Sequence, residues 1–331
     1  MKTIHAKSPC CGVKIYRFGN RRRQCPGCKK TWSIRQKKRG RKQIRVHPVL
    51  EKIAFASQES LRHKAKRLKK SRELIRRRHA RSIDNLLKKI PKPVPPKGNL
   101  IAIIDGLSTR FKKREYTVYL ILLRSIKSNK AIAMEPVFLE GHERISDWET
   151  AFNRLPLLAK KRLKAIVSDG VTGIEAYGRR QNILIQRCHF HLIKRLQTLR
   201  GKSWSTIKNK GIRENLYQKV RLLLSIHDEK KAQKIYIALK NMTSKPECPK
   251  WMGLRIRGGL RHWELFRTYR KYPELNLPTT TNSVESVWRI VSDTIRQTRS
   301  FRNTKSFEKW IKLRIRTLNS ITCNGNNYQQ N

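Results

Sequence analysis

Ile90-Pro91-Lys92-Pro93-Val94-Pro95-Pro96-Lys97-Gly98 puts four prolines into nine positions. Proline has no backbone N–H to donate and a fixed φ, so this stretch sustains neither a helix nor a central strand. It reads as an extended linker over 91–98 and divides the 331-residue chain unequally. Up to Gly98 the chain holds 32 Lys and Arg against 4 acids. The rest holds 46 against 18, so each part carries a net +28 of the total +56. Such a charge repels itself unless a polyanion is near, which makes nucleic acid the leading partner. Membrane-surface binding is the weaker reading, because no basic helix carries a Trp/Phe/Leu membrane face. A 38% share of hydrophobic residues excludes a wholly disordered basic tail. No run approaches the roughly 20 apolar residues of a membrane helix. The start, MKTIHAKSPCCG, lacks a signal-peptide apolar stretch. The expectation is a cytoplasmic, nucleoid-associated protein with no membrane partner.

The cysteines are Cys10, Cys11, Cys25, Cys28, Cys188, Cys248 and Cys323. An odd total with four clustered near the start favours a metal site over a disulfide framework. Cys25-Pro26-Gly27-Cys28 is a C-x-x-C knuckle whose thiolates can converge on one tetrahedral Zn²⁺. The other half is irregular, with Ser8 where the first Cys of a second knuckle would stand. Cys11 is its better-placed ligand, and Cys10 or His5 is the fourth. Gly12–Gln24 suits a hairpin and Lys29–Ser33 the strand after it. The basic run Arg35–Lys42, with Arg39 and Arg41, suits phosphates or a minor groove.

Residues 47–89 read as helical. Leu61, Ala65 and Leu68 share one face, and Ser71 is placed to cap a second helix. This is the pattern of a helix-turn-helix, with Leu74 and Ile75 inward and Arg72, Arg76, Arg77, Arg78 and Arg81 outward toward a DNA major groove. Lys69 stands in the turn where glycine is usual. A plain basic helical hairpin is the alternative.

Beyond the linker the pattern changes to short apolar runs. Leu100–Ile104, Tyr116–Leu123 and Ala131–Leu139 read as strands. Trp148–Leu163 reads as a helix interrupted at Pro156, and Ala165–Val167 and Ile183–Ile185 read as two more strands. Together they argue for an α/β sheet. Asp105 and Asp169 each follow an apolar strand and precede a glycine. Two carboxylates brought to one sheet edge repel unless divalent cations neutralise them, which points to Mg²⁺ or Mn²⁺. Asp-Gly as a mere turn is the plainer reading of either one alone. A third acid, Glu285, lies early in a helix that starts near Thr279–Ser283, beside an apolar stripe of Val284, Val287, Trp288 and Val291. The plainer reading of Glu285 is a complement to the helix dipole.

Asp105, Asp169 and Glu285, with Cys188-His189-Phe190-His191 after the second Asp, resemble DDE transposases of the Mutator-like bacterial insertion-sequence group. The matching pieces are IAIIDG, AIVSDG, QRCHFHLIKRL and TTTNSVES-x-WR, spread over residues 101–300. The N-terminal arm also looks like the DNA-binding end of such enzymes. The resemblance implies an RNase H-like core that performs cut-and-paste or copy-type transposition. It implies action on double-stranded DNA, at element ends and target, as a homodimer or higher oligomer. Two metals would activate water or a 3′-hydroxyl, with Asp105 bridging both, Asp169 on one and Glu285 on the other.

The long gap from Asp169 to Glu285 requires an insertion, and helical spacing over 203–275 makes it α-helical. The expected division is 1–42 zinc ribbon and basic run, 43–90 helix-turn-helix, 91–98 linker and 99–202 first part of the core. Residues 203–277 are the helical insertion, 278–320 the C-terminal helices of the core, and 321–331 a polar tail. Cys188 and His191 match a motif of the group, although two ligands do not complete a zinc site and ordinary packing explains them. Trp263 reads first as a core tryptophan and second as a ring that stacks on a distorted base. The competing function is a DNA-binding regulator with an inactive core. An RNA-cutting nuclease is third.

Overall fold

The computed structural model describes residues 10–18, 22–33, 62, 65–66, 69–111, 114–201, 208–298 and 303–324. The chain forms two compact units, Met1–His47 and Pro48–Asn331. In the first unit, β1 (Tyr16–Phe18), β2 (Arg22–Gln24) and β3 (Thr31–Ser33) make a small antiparallel sheet. Arg39, Arg41 and His5 lie outside the described residues.

The second unit is α/β. Its sheet contains β4 (Leu100–Phe111), β5 (Arg114–Ser125), β6 (Ala131–Ala133), β7 (Val137–Glu140), β8 (Leu163–Ser168) and β9 (Leu184–Arg187). The order is β6-β5-β4-β8-β9, with β7 also paired to β5. The β4–β5 and β5–β6 pairs are antiparallel, whereas the β4–β8 and β8–β9 pairs are parallel. Leading into the parallel half are α2 (Ile145–Asn153) and α3 (Leu157–Lys161), and α4 (Ile174–Arg180) is its crossover.

Two expected elements are cut where the sequence holds proline. Ala131–Leu139 is two short strands separated around Pro136, and Trp148–Leu163 is two helices with Pro156 capping the second. The missing N–H and fixed φ account for both breaks. A third difference matters more for function. β4 does not stop before Asp105 but runs on to Phe111, because β5 pairs with it along its whole length, Asp105 lying opposite Leu120.

Pleat alternation sends β4 side chains to two cores. Leu100, Ala102 and Ile104 pack with Trp148, Phe152, Ile166 and Ile174 on one face. Ile101 and Ile103 pack on the other, under α11 (Asn282–Thr298) and α12 (Thr304–Asn324), with Val284, Trp288, Val291, Phe307, Trp310 and Ile315. Full burial of side chains of this size stabilises by about 1.5–3 kcal/mol each. These cores hold the backbone at Asp105 rigid. Among the described residues no helix is long and apolar enough to cross a membrane.

Helix α1 (Arg72–Lys89) precedes the linker and belongs to this unit. Arg316 anchors it, donating to the carbonyls of Leu87 (2.6 Å) and Ile90 (3.1 Å) while its Nε reaches Glu135 at 2.7 Å. Ser71 caps α1 by accepting from the Leu74 N–H at 3.2 Å. Before it, Lys69 has φ +48°. Its N–H donates to the Lys66 carbonyl, and the Lys70 N–H to that of Ala65. That pair of bonds closes a helix C-terminus, with lysine in the left-handed position glycine usually takes. Ala65 and Ile75 are buried, but Leu74 is 37% exposed and does not face inward as expected; half-buried Ile83 and Leu86 continue the inner line of α1 to the buried Ile90. Leu61 and Leu68 lie outside the described residues.

The insertion is helical. Its main helices are α6 (Lys210–Ser225), α7 (Glu229–Ser244) and α8 (Lys250–Arg261), followed by the short α9 (Trp263–Phe266) and α10 (Thr268–Lys271). Its core reaches back to Leu192 and Leu196 of α5 (His189–Arg200). The insertion returns along β9, where buried Gln186 accepts from the Tyr269 N–H at 2.9 Å and Thr268 donates to the Ile185 carbonyl at 2.6 Å.

Candidate functional site

Asp105 shares the pleat parity of Ile101 and Ile103, so it belongs to the face covered by α11. β4 and β8 pair Ile103 with Val167. Continuing that register by two residues sets Asp105 level with Asp169, just past the end of β8. Glu285 comes from the first turn of α11. Asp105, in a strand, feels both Asp169, just past the end of the next strand, and Glu285 on the helix. Asp105 is pushed up to about 7, first by burial, then by the Asp169 charge; His191 opposes this, while Glu143 and Glu285 add to it.

Glu143, between β7 and α2, escapes a reading that looks for acids at strand ends. The Trp148 indole N–H donates to its Oε1 at 2.7 Å, and burial pushes its carboxyl up. A Cβ at Gly106 would lie 3.0 Å from that carboxylate, so glycine after Asp105 gives Glu143 its place against the strand. The sequence signals were Gly106 itself and a tryptophan five residues after the acid.

One hydrogen-bonded unit sets the start of α11. The N–H of the fully buried Thr281 donates to Cys188 Sγ at 3.3 Å, its hydroxyl to the same sulfur at 3.4 Å, and the hydroxyl lies 3.5 Å from His191 Nδ1. The His189 N–H donates to the Thr279 carbonyl at 2.8 Å. Glu285 N–H then bonds the Thr281 carbonyl, so the acid sits one turn beyond the anchor. Burial disfavours a charged Cys188, but hydrogen bonds from His191 and Thr281 outweigh it and lower the thiol's pKa. His191 is raised, chiefly by Cys188, against its own burial and with help from Asp169 and Asp105. Its Nε2 lies 3.6 Å from Glu285 Oε1, a buried oxygen with no hydrogen-bond partner among the described residues.

Cations edge the site. Arg195 stands 4.0 Å from Asp169. Arg187 lies over Gly170 so closely that a Cβ there would be 2.8 Å from its guanidinium, and φ +98° makes glycine the natural residue. Arg187 and His262 both reach Glu175 Oε1, at 2.7 and 2.8 Å, which ties the insertion to the turn after Asp169. Trp263, next to His262, is 6% exposed in the insertion core, with Arg267 over its ring. It is a core tryptophan.

In the first unit, Cys10, Cys11, Cys25 and Cys28 bring their sulfurs within 4.8 Å of one another, so Cys10 is the fourth ligand candidate. Lys29, at φ +57°, turns the chain after the knuckle, and Cys25 exchanges backbone bonds with Lys29 and Lys30. The neighbouring thiols, Cys28 first and then Cys25, push Cys11 up to about 12. Four thiols this close are suited to a cation such as zinc, which binds them as thiolates. Among the described residues no other His, Cys, Asp and Glu group is as tight, so the carboxylates around Asp105 are spaced more widely than a single-ion cage. Cys188 and His191 form no third-ligand group.

On α1, Arg72, Arg77 and Arg81 are exposed, whereas Arg76 is half-buried. Glu73 pairs with both Arg76 and Arg77, which pull it down to about 2. Two of the five candidate DNA-binding arginines therefore already share an acid, and the Arg78 side chain lies outside the described residues.

No family model matches the chain, and no curated protein matches it. A solved structure titled "Crystal structure of NurA with manganese" aligns with 83% of this chain and 63% of its own length, at 11% identity and a TM-score of 0.14. This chain thus spans less than two thirds of that one, and a likeness of this size carries no argument.

Two outcomes follow. Purified protein should carry one zinc per chain by native mass spectrometry, and Cys25→Ser should lose it; equal zinc in both would exclude the four-thiol site. Asp105 holds its proton to a higher pH folded than unfolded, so its contribution to stability is full below about pH 4 and is lost as pH rises to about 7. Without divalent metal, unfolding free energy should fall across that window, and Asp105→Asn should flatten the slope in denaturant titrations at a series of pH values.

Proposed function

We propose that this chain is a DDE-type DNA transposase of the Mutator-like bacterial insertion-sequence group, which binds the ends of its element and cleaves and joins DNA. The observation that carries this reading is the common electrostatic neighbourhood of Asp105, Asp169 and Glu285, acids that lie far apart in sequence. A sheet of three antiparallel strands continued by two parallel ones supports an RNase H-like core. A net charge of +56 supports a DNA partner.

Asp105, Asp169 and Glu285 would hold Mg²⁺ or Mn²⁺, and a Glu285 Oε1 that is buried without a hydrogen bond among the described residues, together with the raised Asp105, fits a bound cation. Such cations supply charge neutralisation and a more acidic water or 3′-hydroxyl at the phosphodiester. The remaining work falls to the protein's own groups. Thr281 and Cys188 fix the turn that presents Glu285, while His191 stands against that carboxylate and keeps it from swinging away. Arg195, exposed at the Asp169 side, would hold a phosphate oxygen as negative charge builds, while Arg187, paired with Glu175, adds positive potential behind it. Glu143 holds the Asp105 segment through Gly106 and Trp148 and adds negative potential. The Arg72 and Arg81 side of α1, together with the four-cysteine unit, would recognise the DNA ends.

The test uses full-length protein, Mg²⁺ or Mn²⁺, and a DNA fragment carrying the sequences that flank the gene. Asp105→Asn, Asp169→Asn and Glu285→Gln should each lower cleavage and strand joining by at least about a hundredfold while DNA binding persists. Cleavage that survives all three substitutions would remove the catalytic reading.

A further inference from the structure

Helix α8, Lys250–Arg261, has two unlike faces. Met252, Ile256 and Leu260 turn into the insertion core. The other face carries Trp251, Leu254, Arg255, Gly258 and Arg261, spaced so that they share one stripe. Trp251 is 68% exposed and Leu254 43%. A Cβ built at Gly258 meets nothing within 4 Å, so the stripe is open along its length. Exposed aromatic and aliphatic surface of this kind marks an interaction site when it is rimmed by polar groups.

Here the rim is cationic. Lys250, Arg255 and Arg261 of α8 are exposed and the helix contains no acid; Arg257 instead donates to the Thr243 carbonyl. Lys250 Nζ lies 6.0 Å from the Trp251 ring centroid. Lys245 is exposed in the turn before the helix, with Glu247 the nearby acid. Asn209 donates to the Glu247 carbonyl at 3.2 Å, which brings exposed Lys208 to the same end of the insertion. A flat ring bordered by cations matches a nucleic-acid strand, whose bases stack on the ring while its phosphates meet the Lys and Arg. A second copy of this chain is the poorer occupant, because each copy carries +56.

We propose that the Trp251–Leu254–Arg255 face of the insertion is a DNA contact at which Trp251 stacks on an accessible base. This deepens the transposase reading and rests on its DNA partner, but not on its chemistry. Full-length protein would be titrated into fluorescein-labelled DNA, a single-stranded 30-mer and the same sequence as duplex, with anisotropy as the readout. Trp251→Ala should weaken single-strand binding by about fivefold to a hundredfold. Trp251→Phe should keep most of the affinity, and Arg255→Ala should reduce the salt dependence. Because Trp251 is exposed, the variants should melt with the wild type.

Unchanged affinity for both DNAs in Trp251→Ala would overturn the proposal. So would an unchanged affinity accompanied by loss of a wild-type oligomer in sedimentation, which would assign the face to a second copy. DNA binding through Trp251 by a protein that never cleaves would sink the catalytic reading and leave this one. Cleavage that proceeds with Trp251→Ala binding as the wild type does would do the reverse.

Discussion

Like-charge repulsion in a half-buried place is the constraint from which the rest of the second unit follows. Asp105 lies inside the sheet's longest strand pair, with Asp169 just past the end of the next strand and Glu143 and Glu285 nearby. Carboxylates so placed are unfavourable when all are charged, and the fold has to hold them together. It does so with two cores, one on each face of β4, and with backbone that has little freedom. The Trp148 indole steadies Glu143. The Thr281–Cys188 bonds hold the turn that presents Glu285. Such an arrangement calls for a compensating positive charge, which Arg187, Arg195 and His191 supply only in part.

The insertion is tied to this centre by polar contacts. Gln186, Thr268 and His189 bind its returning segment to β9 and α5, and Glu175 joins His262 to Arg187 beside Gly170. The exposed Trp251–Leu254 stripe on α8 belongs to the same helical body as this returning segment.

Much of this was legible in the sequence because two periodicities are simple. Alternation and apolar runs marked the strands, and the isolated acids stood out against a cationic background. The helical insertion followed from a gap too long for a sheet connection. What escaped had physical causes. Strand length is set by pairing, so nothing local to Asp105 says that β4 runs on to Phe111. Pro136 and Pro156 divided elements that apolar content alone had joined. Glu143 lies in a loop, where spacing carries no signal, and its meaning comes from Gly106 across the sheet. Trp263 follows Leu260 at core spacing, while Trp251, at the start of the same segment, falls on the outer face.

The central claim is that the carboxylates around Asp105 form a divalent-cation site. Mn²⁺ binding followed by electron paramagnetic resonance, on zinc-loaded full-length protein, tests it most directly. The account predicts Mn²⁺ binding that strengthens as pH rises through about 7 and is lost in Asp105→Asn, with the zinc content of the four-cysteine unit unchanged. Equal Mn²⁺ binding by wild type and Asp105→Asn, or none by either, would contradict it.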